Sequence, residues 1–288
     1  MALGRRLEDA GYHTLVMPDH FGARMAPAPA LVLAAAATKD LRVGSLVYNN
    51  DFRHPALLSQ EVATVDLLTG GRFDFGIGAG WLKEEYEAAG ISFDAGGVRV
   101  ERLAESLRIM KQLFSGSTLT PGGRHYRMAA SFRTFKTIQQ PHPPIVIGGG
   151  GRKLLTLAAR EADIVSIMPR SRPDGRGLDD ADGGADAFDR KVALIREAAG
   201  ERFSHLELNT VVQAVIISSD PRQAVTALSK EYGMSTEAVL ETPLVLAGTV
   251  EQIAETLATR RHRFGLSYFT VFERDMESLA MVINHLSK

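Results

Sequence analysis

The sequence predicts an α/β fold, a parallel sheet with helices on both faces and one strand too few for a closed barrel. Three observations lead there. Helical and strand-like segments alternate, and the strand candidates are near-continuous apolar runs, as in sheets buried on both faces. The chemistry-bearing residues also cluster just after strand candidates, where a parallel barrel places its active site. Seven strand candidates can be marked, whereas such a barrel needs eight, and the chain opens directly with the helix that should follow a first strand. The expectation is that this strand lies upstream of Met1 or has been lost, with a doubly wound open sheet as the alternative. A lost strand would leave two sheet edges open, and with them poor stability or pairing with a partner.

The elements follow in order. Leu3, Leu7 and Ala10 recur at helical spacing, and Gly11 stands where a helix end favours a left-handed residue. Tyr12 to Met17 then reads as a strand running into Pro18-Asp19-His20. A helix from about Ala28 to Lys39 and a strand from Arg42 to Tyr48 come next. Pro55 suits a helix start, and the stripe Leu58, Val62, Val65, Leu68 ends at Gly70-Gly71. Phe73 to Ile77 is a strand, and Leu103, Leu107, Met110 and Phe114 mark a helix. An insertion, 115–144, separates it from the strand Ile145-Val146-Ile147, a glycine run, and a helix bearing Leu154, Leu157 and Ala158. Ile164 to Met168 is a strand, and about 170–186, rich in Gly, Asp and Arg, reads as a mobile loop. A helix near 187–199, a strand from Leu206 to Ile217, several helices, a strand from Tyr268 to Phe272 and a terminal helix complete one domain, 1–288.

Composition narrows the function. Basic and acidic residues nearly cancel, 33 against 34, so no footprint for nucleic acid or anionic membrane is visible. The absence of cysteine excludes disulfides, thiolate metal sites and a cysteine nucleophile. No apolar run approaches a membrane span and the start has no apolar signal region, so the expected compartment is the cytoplasm. No two histidines sit at metal-ligand spacing, and Asp180-Ala181-Asp182-Gly183 lacks the rest of a calcium loop, so no metal is expected. Neither a GxSxG elbow nor a GxxxxGK[ST] phosphate loop occurs.

Four groups remain as candidates for a small-molecule site. Gly148-Gly149-Gly150-Gly151 precedes a helix whose free N–H groups attract anions, and Arg152 and Lys153 add charge; the alternative is an ordinary flexible turn. Gly76-x-Gly78-x-Gly80 follows a strand but lacks the GxGxxG spacing of a dinucleotide site, and reads better as a flat approach for a planar ring. Trp81, the sole tryptophan, walls that pocket or packs under the insertion. His20 beside Asp19 is a proton donor near a reactive ring or simply a loop hydrogen bond.

Taken in order, Gly11-Tyr12, Pro18-Asp19-His20, Phe52-Arg53-His54-Pro55, Asp66 to Arg72, Gly76 to Trp81 with Glu85-Tyr86, and His142-Pro143-Pro144-Ile145 before the glycine run resemble the luciferase-like monooxygenase superfamily, and within it the actinobacterial F420-dependent oxidoreductases. The resemblance spans Ala2 to about Asp163 and weakens beyond. It implies a TIM (β/α)8 barrel, with phosphate at Gly149, Gly150, Gly151 and Arg152, and a ring meeting Asp19, His20, Val47, Asn49, Gly78, Ala79, Gly80 and Trp81. It also implies a non-proline cis peptide near Leu46–Val47, coenzyme F420 or alternatively FMN as cofactor, a small-molecule substrate, and a homodimer. The implied activity is hydride transfer between the deazaflavin and a small organic substrate, with His20 near the ring; an FMN-dependent monooxygenase and a non-catalytic flavin-binding protein are the alternatives. Lys83, Arg152 and Lys153 at the mouth favour F420 with its acidic tail. Two departures argue against inheriting sugar-phosphate activity: Trp81 stands where those relatives carry an acid, and Arg24 where they carry an aromatic.

Overall fold

Prolines and glycines punctuate the chain much as the sequence suggests. Pro27 and Pro55 each occupy the first helical turn, where a missing N–H costs nothing, and Gly90, Gly233 and Gly265 end helices in the left-handed conformation. The computed structural model describes residues 1–22 and 24–287. In chain order the elements are α1 (Ala2–Asp9), β1 (Thr14–Met17), α2 (Pro27–Ala36), β2 (Arg42–Ser45), β3 (Tyr48–Asn49), α3 (Pro55–Leu68), β4 (Phe73–Gly78), α4 (Lys83–Ala89) and α5 (Gly96–Phe114). There follow β5 (Ile145–Gly149), α6 (Arg152–Glu161), β6 (Ile164–Ile167), α7 (Ala185–Ala199), β7 (Glu207–Val212) and β8 (Ala214–Ile217). The last are α8 (Pro221–Ala224), α9 (Thr226–Tyr232), α10 (Thr236–Glu241), β9 (Val245–Gly248), α11 (Val250–Phe264), β10 (Leu266–Val271) and α12 (Met276–Leu286).

The main sheet is parallel and runs β1-β2-β4-β5-β6-β7-β10, with β3 continuing β2 alongside β4. The order is that of a parallel (β/α) barrel, and the sheet is open between its outer strands, β1 and β10. Burial records it: every residue of β4 is buried, whereas all four of β1 are only half-buried. Side chains bridge the seam. The Tyr12 hydroxyl donates to the Met276 carbonyl at 2.6 Å, and Tyr12 packs with Phe269 of β10 against one buried cluster. The main core packs Phe73, Phe75 and Ile77 of β4 against Leu58 and Val62 of α3 and Leu103 and Leu107 of α5.

Three regions differ from the sequence reading. The strand expected over 206–217 breaks at Gln213, whose N–H donates to the Leu244 carbonyl at 2.6 Å, so β8 leaves the barrel and pairs with β9. The sequence reading missed β9, a four-residue apolar run too short to distinguish from the helices around it. The insertion 115–144 has no regular element, yet it is tied down. The Glu105 carboxylate accepts from the N–H groups of His125 and Tyr126, and Asp66 accepts from Ile138 and Gln139. The segment 170–186, expected as a mobile loop, has internal structure that composition did not reveal: an antiparallel bridge joins Ser171 and Leu178, and Arg170 pairs with Asp179 at 2.7 Å. The buried Lys191 ammonium clamps its base, donating to the carbonyls of Met168 and Asp182.

No described helix is long and apolar enough to cross a membrane, and the described residues contain no cluster of metal-ligating side chains.

Candidate active site

The C-terminal ends of β1, β3, β4 and β5 adjoin one another, so the residues singled out in the sequence come to one mouth. Asn49 lies in register with Gly78, and Val47 nests against Gly76, Gly78 and Gly148 from the two neighbouring strands. The Leu46–Val47 peptide bond is cis, at the position expected.

Asp19 ends the turn after β1 and is buried. Both its oxygens are occupied: Arg53 binds them in a fork at 2.6 and 3.1 Å, and the Asn49 N–H donates to Oδ2 at 3.1 Å. Burial opposes the Arg53 charge, but the hydrogen bond and charge of Asp19 outweigh it and hold the guanidinium above its ordinary pKa. Asp19 therefore braces β1 against β3 rather than presenting a free carboxylate to a ligand.

Asn49 is held from two directions. Its Oδ1 accepts from the Asp51 N–H and from the buried Tyr86 hydroxyl, each at 3.0 Å, and its amide nitrogen has no partner among the described residues. Asp51 in turn pairs with Arg102 at 2.8 Å. Burial first, then the Asp51 charge, push the Tyr86 phenol's pKa up, so this ring stays neutral.

The glycines of the β4 turn serve protein packing. A side chain at Gly76 would run into the Ser45 carbonyl, at Gly78 into Val47 at 2.8 Å, and at Gly80, whose φ is +74°, into the Tyr86 hydroxyl. Arg99, buried and stacked over Phe93 at 3.9 Å, donates to the carbonyls of Ala79 and Gly80 and so fixes the turn from beneath. Burial pulls its pKa down, and among the described residues it forms no ion pair. The flat approach for a ring that the glycine spacing suggested is, on these faces, occupied by the protein's own atoms.

The glycine run after β5 divides similarly. A side chain at Gly149 would meet Leu154, and at Gly150 the backbone of Met168 to Arg170, whereas Gly151 faces open space. Gly151 is the N-cap of α6 and no side chain caps the helix, leaving its first-turn N–H groups free for an anion. Arg152 is exposed, with no ion pair among the described residues. Lys153, in contrast, is engaged with Glu101 at 2.7 Å, and Lys83 with Glu87 at 3.3 Å. Of the three basic residues expected at the mouth, only Arg152 is uncommitted.

His20 is partly exposed, and its Nδ1 lies 2.8 and 2.9 Å from the two oxygens of Glu85. Trp81 stands edge-on to its ring, centroids 6.1 Å apart. Neither reading offered for His20, a proton donor near a reactive ring or a loop hydrogen bond beside Asp19, anticipated this partner. The available signal was a glutamate in the first turn of the helix opened by the glycine motif.

A family model described as luciferase-like monooxygenase matches residues 1–242. The chain belongs to the luciferase-like monooxygenase family. It is 28% identical over 240 residues to 5,10-methylenetetrahydromethanopterin reductase of Archaeoglobus fulgidus, covering 81% of this chain and 69% of that protein. It is 30% identical over 207 residues to the F420-dependent hydroxymycolic acid dehydrogenase of Mycobacterium tuberculosis, covering 69% of this chain and 57% of that one. The FMNH(2)-dependent dimethylsulfone monooxygenase of Pseudomonas putida matches at 32% over 128 residues, 44% of this chain and 35% of that one. The chain thus spans less than two thirds of the latter two. In fold it resembles an F420-dependent secondary alcohol dehydrogenase solved with an F420–acetone adduct, with a TM-score of 0.76, 18% identity, and coverage of 98% of this chain and 91% of that one. Within this family, the relatives matched include both F420-dependent oxidoreductases and an FMN-dependent monooxygenase.

Proposed function

We propose that the chain is an F420-dependent oxidoreductase moving a hydride between the deazaflavin and a small organic substrate. The observation that carries the reading is the pairing, at one mouth, of a proton-handling imidazole held by a carboxylate with an uncapped helix N-terminus beside an uncommitted arginine. The residues present fit a phosphate-bearing tricyclic cofactor: Gly151 leaves open space at the start of α6, Val47 lies against Gly148 of the same run, and Trp81 stands beside His20.

Bound F420 supplies the hydride acceptor or donor that the protein itself lacks. The chain's residues do the rest. The α6 N–H groups and Arg152 would hold the phosphate, Asn49 with its free amide, Val47 and the β4 turn would hold the ring, and His20 Nε2 would exchange a proton with the substrate.

A second reading, an FMN-dependent monooxygenase, is favoured by the similarity to the dimethylsulfone enzyme and by the engagement of Lys83 and Lys153 with glutamates, which reduces the free positive charge available to an acidic tail. Turnover separates the readings. Reduced F420 oxidised by members of a panel of small carbonyl compounds without oxygen, and no longer by His20→Asn, supports the first. Consumption of reduced FMN that requires oxygen replaces it with the second, and binding without turnover in either assay makes the chain a flavin-binding protein. Exposed Leu57 and Leu68, with Val32, line an apolar groove between α2 and α3, the face that a homodimer would cover; a monomer by light scattering at all concentrations contradicts that assignment.

A further inference from the structure

The imidazole of His20 is held by a glutamate 65 residues away in sequence, and the way that glutamate is held suggests a task. Glu85 lies in the first turn of α4, where the helix dipole favours negative charge. Two anchors fix this short helix. At its start the Lys83 N–H donates to the Gly175 carbonyl at 2.9 Å, docking α4 on the 170–186 hairpin. One residue beyond Glu85, Tyr86 is fully buried and its hydroxyl is shared between Asn49 and Asp51. The Glu85 side chain is 15% exposed, and among the described residues its carboxylate has no basic partner other than His20.

An ionised carboxylate accepts hydrogen bonds and donates none. Facing both oxygens of Glu85, His20 Nδ1 must therefore carry a proton whether the ring is neutral or charged. Nε2 has no partner among the described residues. We propose that Glu85 is a positioning residue that locks His20 in the Nδ1–H tautomer, leaving Nε2 as the nitrogen free to take a proton from a ligand in the mouth or to return one. The carboxylate acts through the imidazole rather than on the ligand. The docking of Lys83 on Gly175 makes the hairpin part of the same positioning. This inference rests on the reading of His20 as the proton-handling group.

The test needs no cofactor. The protein is labelled with 15N-histidine, its imidazole resonances are read by long-range 1H–15N correlation in mildly alkaline buffer, and the His20 set is assigned by its loss in His20→Asn. In the wild-type protein His20 should show a single neutral form protonated at Nδ1. In Glu85→Ala it should shift toward the Nε2–H form that free imidazole side chains prefer, while the other seven histidines of the eight keep their positions. A wild-type His20 protonated at Nε2, or a tautomer unchanged in a folded Glu85→Ala, overturns the proposal. The wild-type spectrum decides the first point even if the variant fails to fold. Once a substrate is known, Glu85→Ala should lower kcat by about a hundredfold with cofactor affinity unchanged. Should the tautomer behave as stated while His20→Asn keeps full turnover, the functional reading fails and the positioning role stands.

Discussion

The mouth is built in two different ways. The part following β1, β3 and β4 is a lattice of side chains: Asp19 in the fork of Arg53, Tyr86 between Asn49 and Asp51, Arg99 under the glycine turn, and Glu85 on His20. The part following β5 is nearly bare backbone, with Gly151 open and α6 uncapped. The first part spends its polar groups on one another and so fixes geometry before any ligand arrives. The second leaves its groups unpaired, as a surface does when an anion is to complete it. A site that must orient a reactive ring while gripping a phosphate needs both.

If that contrast is right, substitutions in the first part damage the fold and those at α6 damage binding alone. The largest effect belongs to Arg53→Ala, which strands the buried Asp19 carboxylate and should cost about 3–5 kcal/mol in urea unfolding. A change below about 1 kcal/mol would mean that Asp19 is solvated and the lattice is not structural. Next come two adjacent glycines that should behave oppositely. Gly150→Ala meets the backbone after β6 and should cost about 2–3 kcal/mol, while Gly151→Ala, with ordinary φ and open space, should stay within about 0.5 kcal/mol of wild type. Equal losses from both would erase the division proposed for the run.

Tyr86→Phe should cost about 1 kcal/mol at neutral pH, one hydrogen bond's worth. Its pH dependence has a definite sign. Burial raises the pKa values of the Tyr48 and Tyr86 phenols above their ordinary 10.0, so the folded state holds protons that the unfolded state releases. Stability from this source is complete below pH 10.0 and falls as pH rises beyond it. Tyr86→Phe should therefore unfold at a higher pH than wild type when alkaline midpoints are compared by circular dichroism. A midpoint that does not rise would show Tyr86 ionising freely in the folded protein. The smallest effect on the fold, and the most specific on function, belongs to Arg152→Ala. Its stability should match wild type, while affinity for a phosphate-bearing cofactor falls about tenfold. Unchanged affinity would remove Arg152 from the site.

Much of this was legible in the sequence because it is local. The order of strands and helices, the proline starts and the cluster of strand-end residues follow from short-range pattern or from motif order, and the cis bond at Leu46–Val47 is what the family resemblance implied. What the sequence hid is pairwise and distant. His20 and Glu85 meet only because the sheet brings β1 and β4 to one mouth, and no spacing rule reports a contact across 65 residues. Arg53 and Arg99 were visible as residues, but their tasks, a fork on Asp19 and a support under Ala79 and Gly80, depend on how α5 and the turn after β3 pack. The glycines illustrate the limit most clearly. Their spacing announced close approach, and only the structure shows that at Gly76 and Gly150 the approaching group is the protein's own backbone.

The central claim is most directly tested by a parallel binding titration of F420 and FMN, followed by the fluorescence of Trp81, the sole tryptophan and a neighbour of His20. The account predicts saturable quenching by F420 at concentrations at least about tenfold below those needed for FMN, weakened in Arg152→Ala. Tighter binding of FMN would contradict the deazaflavin assignment and move the chemistry to the monooxygenase side of the family.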